Sequence, residues 1–247
     1  MTLIPRSLPS VLATLLLMAG SASLHASEPE AAKAAQPWTP ATLRQTLAQL
    51  PAGDAKRGEQ VHTHFMCASC HGERGVAPTL NWPHLAGQKA AYTAKMMLDY
   101  QSGLRREGRR AELMYDIAVM MTPQQIADVS AFYAVQPVPR DDGTPRPQAQ
   151  PAPRDMDARL LVRKGDPTRL ITPCASCHGV VGQGGSREAP ALAGQNPLYF
   201  VRTMLDYQGG VRNNDSAKGM RVFAHKLTRG EIETLARYYA DLPTGKK

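Results

Sequence analysis

The chain has 247 residues, a formal charge of +8, 43% hydrophobic residues and four cysteines. That length holds one or two domains with buried cores, and the apolar content excludes a disordered chain. Four cysteines are too sparse for a disulfide-stapled scaffold, and the basic balance by itself leaves acidic partners, nucleic acid and membrane surfaces open.

Residues 1–26 read as a secretory signal. Arg6 supplies the positive start, residues 11–19 are an apolar run too short to span a bilayer, and Leu24-His25-Ala26 offers cleavage after Ala26. Export of the mature chain is therefore expected. Residues 27–53 form an extension in which Thr39-Pro40 opens a helix ending near Leu50, with Leu43, Leu47 and Leu50 as its apolar stripe. No function attaches to it. Further helices are expected at 56–65, 89–100, 159–170 and 197–207. Thr122-Pro123-Gln124-Gln125 and Thr228-Arg229-Gly230-Glu231 fit capping boxes that start two more, with Ile126, Val129, Tyr133 and Ile232, Leu235, Tyr239 at helical spacing. Residues 139–158, rich in Pro, Asp, Arg and Gln, read as an extended linker. No segment alternates like a strand, so the fold class is all-α.

These elements repeat. Cys67-Ala68-Ser69-Cys70-His71-Gly72 returns as Cys174-Ala175-Ser176-Cys177-His178-Gly179, 107 positions later. Leu85-Ala86-Gly87-Gln88 and Met97-Leu98-Asp99-Tyr100-Gln101 return at the same offset, and Gly58 matches Gly165. After one residue is lost, Thr122 and Tyr133 match Thr228 and Tyr239 at an offset of 106. Two tandem copies, 54–138 and 159–247, account for this.

The chemistry sits in the Cys motif. Two cysteines three positions apart can bond the two vinyl groups of one haem, and the His that follows lies beneath the iron. Cys67 and Cys70 with His71, and Cys174 and Cys177 with His178, are thus candidates for two covalent haem c groups. A zinc site would combine such Cys pairs with further Cys or spaced His ligands, and a thioredoxin-like pair expects a βαβ setting; neither needs His after the second Cys. The register then selects a sixth ligand. Met114 and Met220 each stand seven residues before the residue that precedes the capping Thr. Thioether ligation raises the potential and suits electron transfer. Met97, Met204, Met120 and Met121 read as packing. Pro83 and Pro190, each 12 residues after the ligand His, keep a free carbonyl that can accept the other ring N–H. His62 and His64 read as an exposed helix face, and His84 and His225 as solvent or packing residues. Tyr100 and Tyr207, with Arg105 and Arg212, are either propionate partners or solvated helix ends.

The repeated Cys-Ala-Ser-Cys-His-Gly, the Pro-x-Leu-Ala-Gly-Gln stretch, the Met before the last helix and that helix's closing Tyr resemble a two-domain dihaem class I cytochrome c of the bacterial cytochrome c-four group. Arg212-Asn213-Asn214-Asp215 resembles the family's loop before the ligand Met. The resemblance implies two tandem helical domains, each around one His/Met-ligated haem, with Pro83 and Pro190 holding the ligand histidines. It also implies electron transfer in the periplasm between redox proteins, such as a quinol-oxidising complex and a terminal oxidase. An electron-accepting subunit of a periplasmic dehydrogenase is the alternative reading, and a dihaem peroxidase, needing one open sixth position, is the third.

The charge divides unevenly. Residues 54–138 carry nine basic and eight acidic groups, whereas residues 159–247 carry fourteen and seven. An acidic redox partner facing the second copy is therefore expected, with no nucleic-acid role; peripheral membrane association stays open.

Overall fold

The computed structural model describes residues 35–138, 157–186 and 188–242. The expected signal segment and nearly all of the linker lie outside them. Among the described residues the secondary structure is helical apart from one isolated bridge between Asp166 and Ile171.

Helix α1 (Pro40–Gln49) starts where Thr39 and Thr42 cap each other's backbone, and Leu43 is its buried residue. The first copy follows with α2 (Ala55–His64), the single turn α3 (Ala68–His71), α4 (Ala90–Gln101), α5 (Arg109–Ala118) and α6 (Pro123–Val135). Asp54 caps α2, and Thr122 with Gln125 forms the capping box of α6. Helix α2 lies so close along α6 that a Cβ on Gly58 would sit 2.0 Å from the Asp128 carbonyl oxygen. Arg57 forks onto the Asp128 carboxylate at 2.8 and 2.9 Å, tying the same two helices. The core gathers Val61, Met97, Met121, Ile126, Val129 and Phe132, with Leu47 and Leu50 of the extension packed against it.

The second copy has α7 (Ala158–Lys164), a 3-10 turn at Pro167–Arg169, the turn α8 (Ala175–His178), α9 (Pro197–Gln208), α10 (Gly219–Ala224) and α11 (Arg229–Ala240). Its core is built from Leu161, Val162, Phe200, Met204, Ile232 and Leu235. The single helix expected over 159–170 is not what forms. Pro167 disfavours helical backbone at Asp166, and Gly165 turns left-handed at φ +71, so α7 stops at Lys164. Helices α5 and α10 lack a capping side chain, starting after Gly108 at φ +87 and after left-handed Lys218, and the sequence carries no signal for them.

Candidate haem-binding site

Each Cys motif is one helical turn. The His71 and His178 amides donate to the Cys67 and Cys174 carbonyls at 2.9 Å, and Gly72 at φ +74 then reverses the chain. His71 Nδ1 lies 3.1 Å from the Pro83 carbonyl oxygen, and His178 Nδ1 lies 3.0 Å from that of Pro190. A carbonyl only accepts, so the proton is on Nδ1 and the Nε2 lone pair is free. Burial pushes both imidazoles below their ordinary range, against the opposing pull of the proline carbonyls. The neutral form that can ligate a metal is therefore the resting form.

The methionines arrive on α5 and α10. Gln101, the last residue of α4, donates Nε2 to the carbonyls of Ala118 and Met121, both at 2.9 Å. Gln208 does the same to Ala224 and Leu227, at 3.0 and 2.8 Å. Each Gln thus pins the far end of a short helix that has no cap of its own at its start. Ten of the residues singled out by the repeat line one cavity of about 510 Å³: Cys67, Cys70, His71, Pro83 and Met114 from the first copy, and Cys174, Cys177, His178, Pro190 and Met220 from the second. The four cysteines form no disulfide, and burial raises the Cys67 and Cys174 thiols, the opposite of what a reactive dithiol requires.

Between the two halves the cavity has a cationic wall. The Arg105 guanidinium stacks on the Tyr100 ring at 4.5 Å and pairs with Glu107, and that of Arg212 stacks on Tyr207 at 4.6 Å. Both approach the Met96 sulfur at 3.4 Å, and Arg212 Nη2 also donates to the Tyr92 hydroxyl at 3.2 Å. Arg212 is only 1% exposed, and its buried Nη1 has no hydrogen-bond partner. A buried, unsatisfied donor on this wall fits the carboxylates of a haem, and the free His Nε2 and Met sulfur suit its iron. The residues present fit the group.

The halves are braced reciprocally. Gln88 Nε2 donates to the Ala191 carbonyl at 3.1 Å and its Oε1 accepts the Ala191 amide at 2.9 Å. Gln195 treats His84 the same way, at 3.0 and 2.9 Å. Ala191 and His84 directly follow the two prolines whose carbonyls meet His178 and His71, so each copy holds the histidine support of the other. The repeated Leu-Ala-Gly-Gln pointed at these glutamines, but their role depends on how the copies meet. Asp99, 0% exposed, accepts from the Trp38 indole N–H, from Lys95 Nζ at 2.5 Å and from Asn214 Nδ2 at 2.5 Å. Lys95 Nζ also reaches the Asn214 carbonyl at 2.6 Å. Neither Trp38 nor this cluster was visible as a functional unit in the sequence.

Several expectations are corrected. His62 is buried, with Nδ1 2.8 Å from the Tyr133 hydroxyl, because α2 turns that face onto α6; His64 is the exposed one. Met120 is 63% exposed and does not pack, although Met97, Met121 and Met204 do. Arg105 and Arg212 are not solvated helix ends, since stacking on tyrosines draws both inside. His84 keeps the packing role expected of it, half-buried in the seam between the halves, where its Nδ1 accepts the Ala77 amide at 2.9 Å.

A cytochrome c family model matches residues 55–134, which sets the class. The chain is 31% identical over 192 residues to cytochrome c4 of Thiocapsa roseopersicina, covering 77% of this chain and 93% of that protein. It is 29% identical to a thiosulfate dehydrogenase electron acceptor of Stutzerimonas stutzeri, over 76% of this chain and 87% of that one. The crystal structure of reduced recombinant cytochrome c4 from Pseudomonas stutzeri superposes with a TM-score of 0.65 at 28% identity, over 77% of this chain and all of that one. The chain belongs to the cytochrome c4 family, with its two-domain class I fold and two covalently bound haem c groups. Among the described residues no helix is long and apolar enough to cross a membrane.

Proposed function

We propose that this protein carries single electrons between redox proteins of a periplasmic respiratory chain, through two haems ligated by His71 with Met114 and by His178 with Met220. Cys67, Cys70, Cys174 and Cys177 would anchor the groups, and Pro83 and Pro190 would orient the histidines. The observation that carries this reading is the shared cavity, lined by two equivalent donor sets and by the buried Arg105 and Arg212. Bound haem supplies a one-electron iron couple. The protein's own part is to keep each imidazole neutral and aimed, to offer a thioether that favours the reduced iron, and to exclude water. With an imidazole and a thioether both offered to each iron, no place would remain for a substrate, so the reading is of a carrier rather than an enzyme.

The ferric spectrum tests it. Two methionine-ligated haems give the weak sulfur-to-iron band at the red end, and the reduced protein resists CO at neutral pH. Met220→Ala removes part of that band and lowers one of the two potentials. Rapid CO binding by the unmodified protein would sink the carrier reading.

The similarity to a thiosulfate dehydrogenase electron acceptor supports a second reading, in which the donor is a dehydrogenase subunit. Copurification with a larger catalytic chain from the native source favours it. In either case the basic second copy, residues 159–247, faces an acidic partner, and the reaction slows as salt rises.

A further inference from the structure

Leu170 is the most exposed large hydrophobic residue described, at 76%, and its backbone is left-handed at φ +54 and ψ +43. A leucine is strained there, whereas glycine would adopt the same turn freely. Strain of this kind persists only where the surroundings over-determine it, and it concentrates at functional sites.

The surroundings do over-determine it. Asp166 and Ile171 exchange both backbone hydrogen bonds at 2.8 Å, closing a knuckle over residues 166–171. Inside it Asp166 Oδ1 accepts the Thr168 hydroxyl at 2.6 Å and Oδ2 accepts Arg169 Nε at 2.6 Å. Arg169 then forks onto Glu231 at 2.7 and 3.0 Å and reaches the Lys226 carbonyl at 3.1 Å. Lys226 Nζ returns to the Leu170 carbonyl at 2.8 Å. The knuckle is thus bolted to the start of α11, with an apolar side chain held out at its tip.

Its position and charge say what it meets. Ile171, Thr172, Pro173 and Cys174, the residues that follow, line the cavity beside His178. Asp166 and Glu231 are taken up by Arg169, and Asp157 caps the start of α7 through the Arg159 and Leu160 amides. Exposed Arg159, Arg163 and Lys164 on α7 form no ion pair among the described residues, and Lys226 meets only a carbonyl. The repeat aligns Leu170 with Thr63, which lies inside α2, and the exposed left-handed apolar residue of the first copy is instead Met66, directly before Cys67 and outside any such knuckle.

We propose that the knuckle is where an acidic-rimmed redox protein docks on the second copy, with Leu170 entering an apolar socket and the cations of α7 and Lys226 meeting the rim. The proposal rests on the carrier reading above and gives it a contact point. Interfaces commonly combine one buried anchor with a charged rim that sets orientation and encounter rate. A lipid surface would call for a broad apolar face rather than one side chain.

The test uses the full-length holoprotein on gold coated with mixed carboxylate- and methyl-terminated alkanethiols, read by voltammetry. Leu170→Gly should slow interfacial electron exchange about tenfold. The same change should hold or raise the thermal midpoint and leave reduction by dissolved dithionite unchanged. Lys226→Glu should slow exchange at low salt and flatten its salt dependence. Exchange that is indifferent to Leu170→Gly overturns the proposal. So does a Leu170→Gly variant that loses only its binding to phosphatidylglycerol vesicles. Absence of any reversible couple in the unmodified protein would instead overturn the carrier reading, and the docking face with it.

Discussion

The two copies enter their Cys motifs differently. In the first, ten residues of continuous helix run from Ala55 to His64; in the second, a seven-residue helix gives way to a 3-10 turn and a bridge. Gly58 and Gly165 hold the same register, yet one lets two helices touch and the other ends a helix in a left-handed turn. The cause is local: Pro167 stands where the first copy has Gln60, and proline restricts the residue before it. The candidate donors repeat between the copies, while the approach to them differs. The first copy closes this segment through His62 with Tyr133 and Arg57 with Asp128, and the second closes it through Arg169 with Glu231 and Lys226 with the Leu170 carbonyl.

The largest expected effect lies in that contrast. Gly58→Ala drives a methyl into the Asp128 carbonyl and should cost about 3 kcal/mol in urea unfolding. A cost under about 0.5 kcal/mol, the level of an ordinary surface change, would mean that α2 does not need its close seat on α6. Next come the cross-braces. Gln88→Leu strips both backbone partners from Ala191 and should cost about 2 kcal/mol. It should also shift the potential of the haem beside His178 more than that of the haem beside His71, and Gln195→Leu should do the reverse. Equal shifts of both waves in a potentiometric titration would deny that each copy supports the other's histidine.

The smallest effect separates the two approaches by pH. The Thr168 hydroxyl and the Arg169 guanidinium hold the Asp166 carboxyl down at about 2. With the folded value depressed, the knuckle's contribution is complete above the ordinary carboxylate range and fades as pH falls through about 2. Hydrogen exchange at the Ile171 amide should stay protected through mild acid and open only near the lower limit. Loss of protection already near pH ~4, the range of a free carboxylate, would show that Asp166 is unpaired in solution.

What the sequence disclosed follows from what repeats. Two copies of Cys-Ala-Ser-Cys-His, each with Met, Pro and a capping Thr in register, pointed to ten residues that the structure gathers around one cavity. The long capped helices were equally plain, because Thr122 and Thr228 announce themselves with Gln125 and Glu231. Helices α5 and α10 were hidden, since they are held from outside by Gln101 and Gln208 rather than by their own ends. The Gln88 and Gln195 braces were hidden for another reason: nothing in either copy alone states how the pair will face. His62 looked like a solvent residue because its partner, Tyr133, lies 71 positions away.

The carboxylate of Asp99 bears on how the chain must fold. Its donors come from Trp38, from Lys95 one turn earlier in its own helix, and from Asn214, which lies 115 positions further along. An ion pair sealed from water is costly to leave half-made, and ring closure over such a span is slow. The Asp99 cluster is therefore complete only when residues of both copies are in place. One carboxylate thus ties together three parts of the chain: the extension before the first copy, the helix that carries Asp99, and a loop of the second copy.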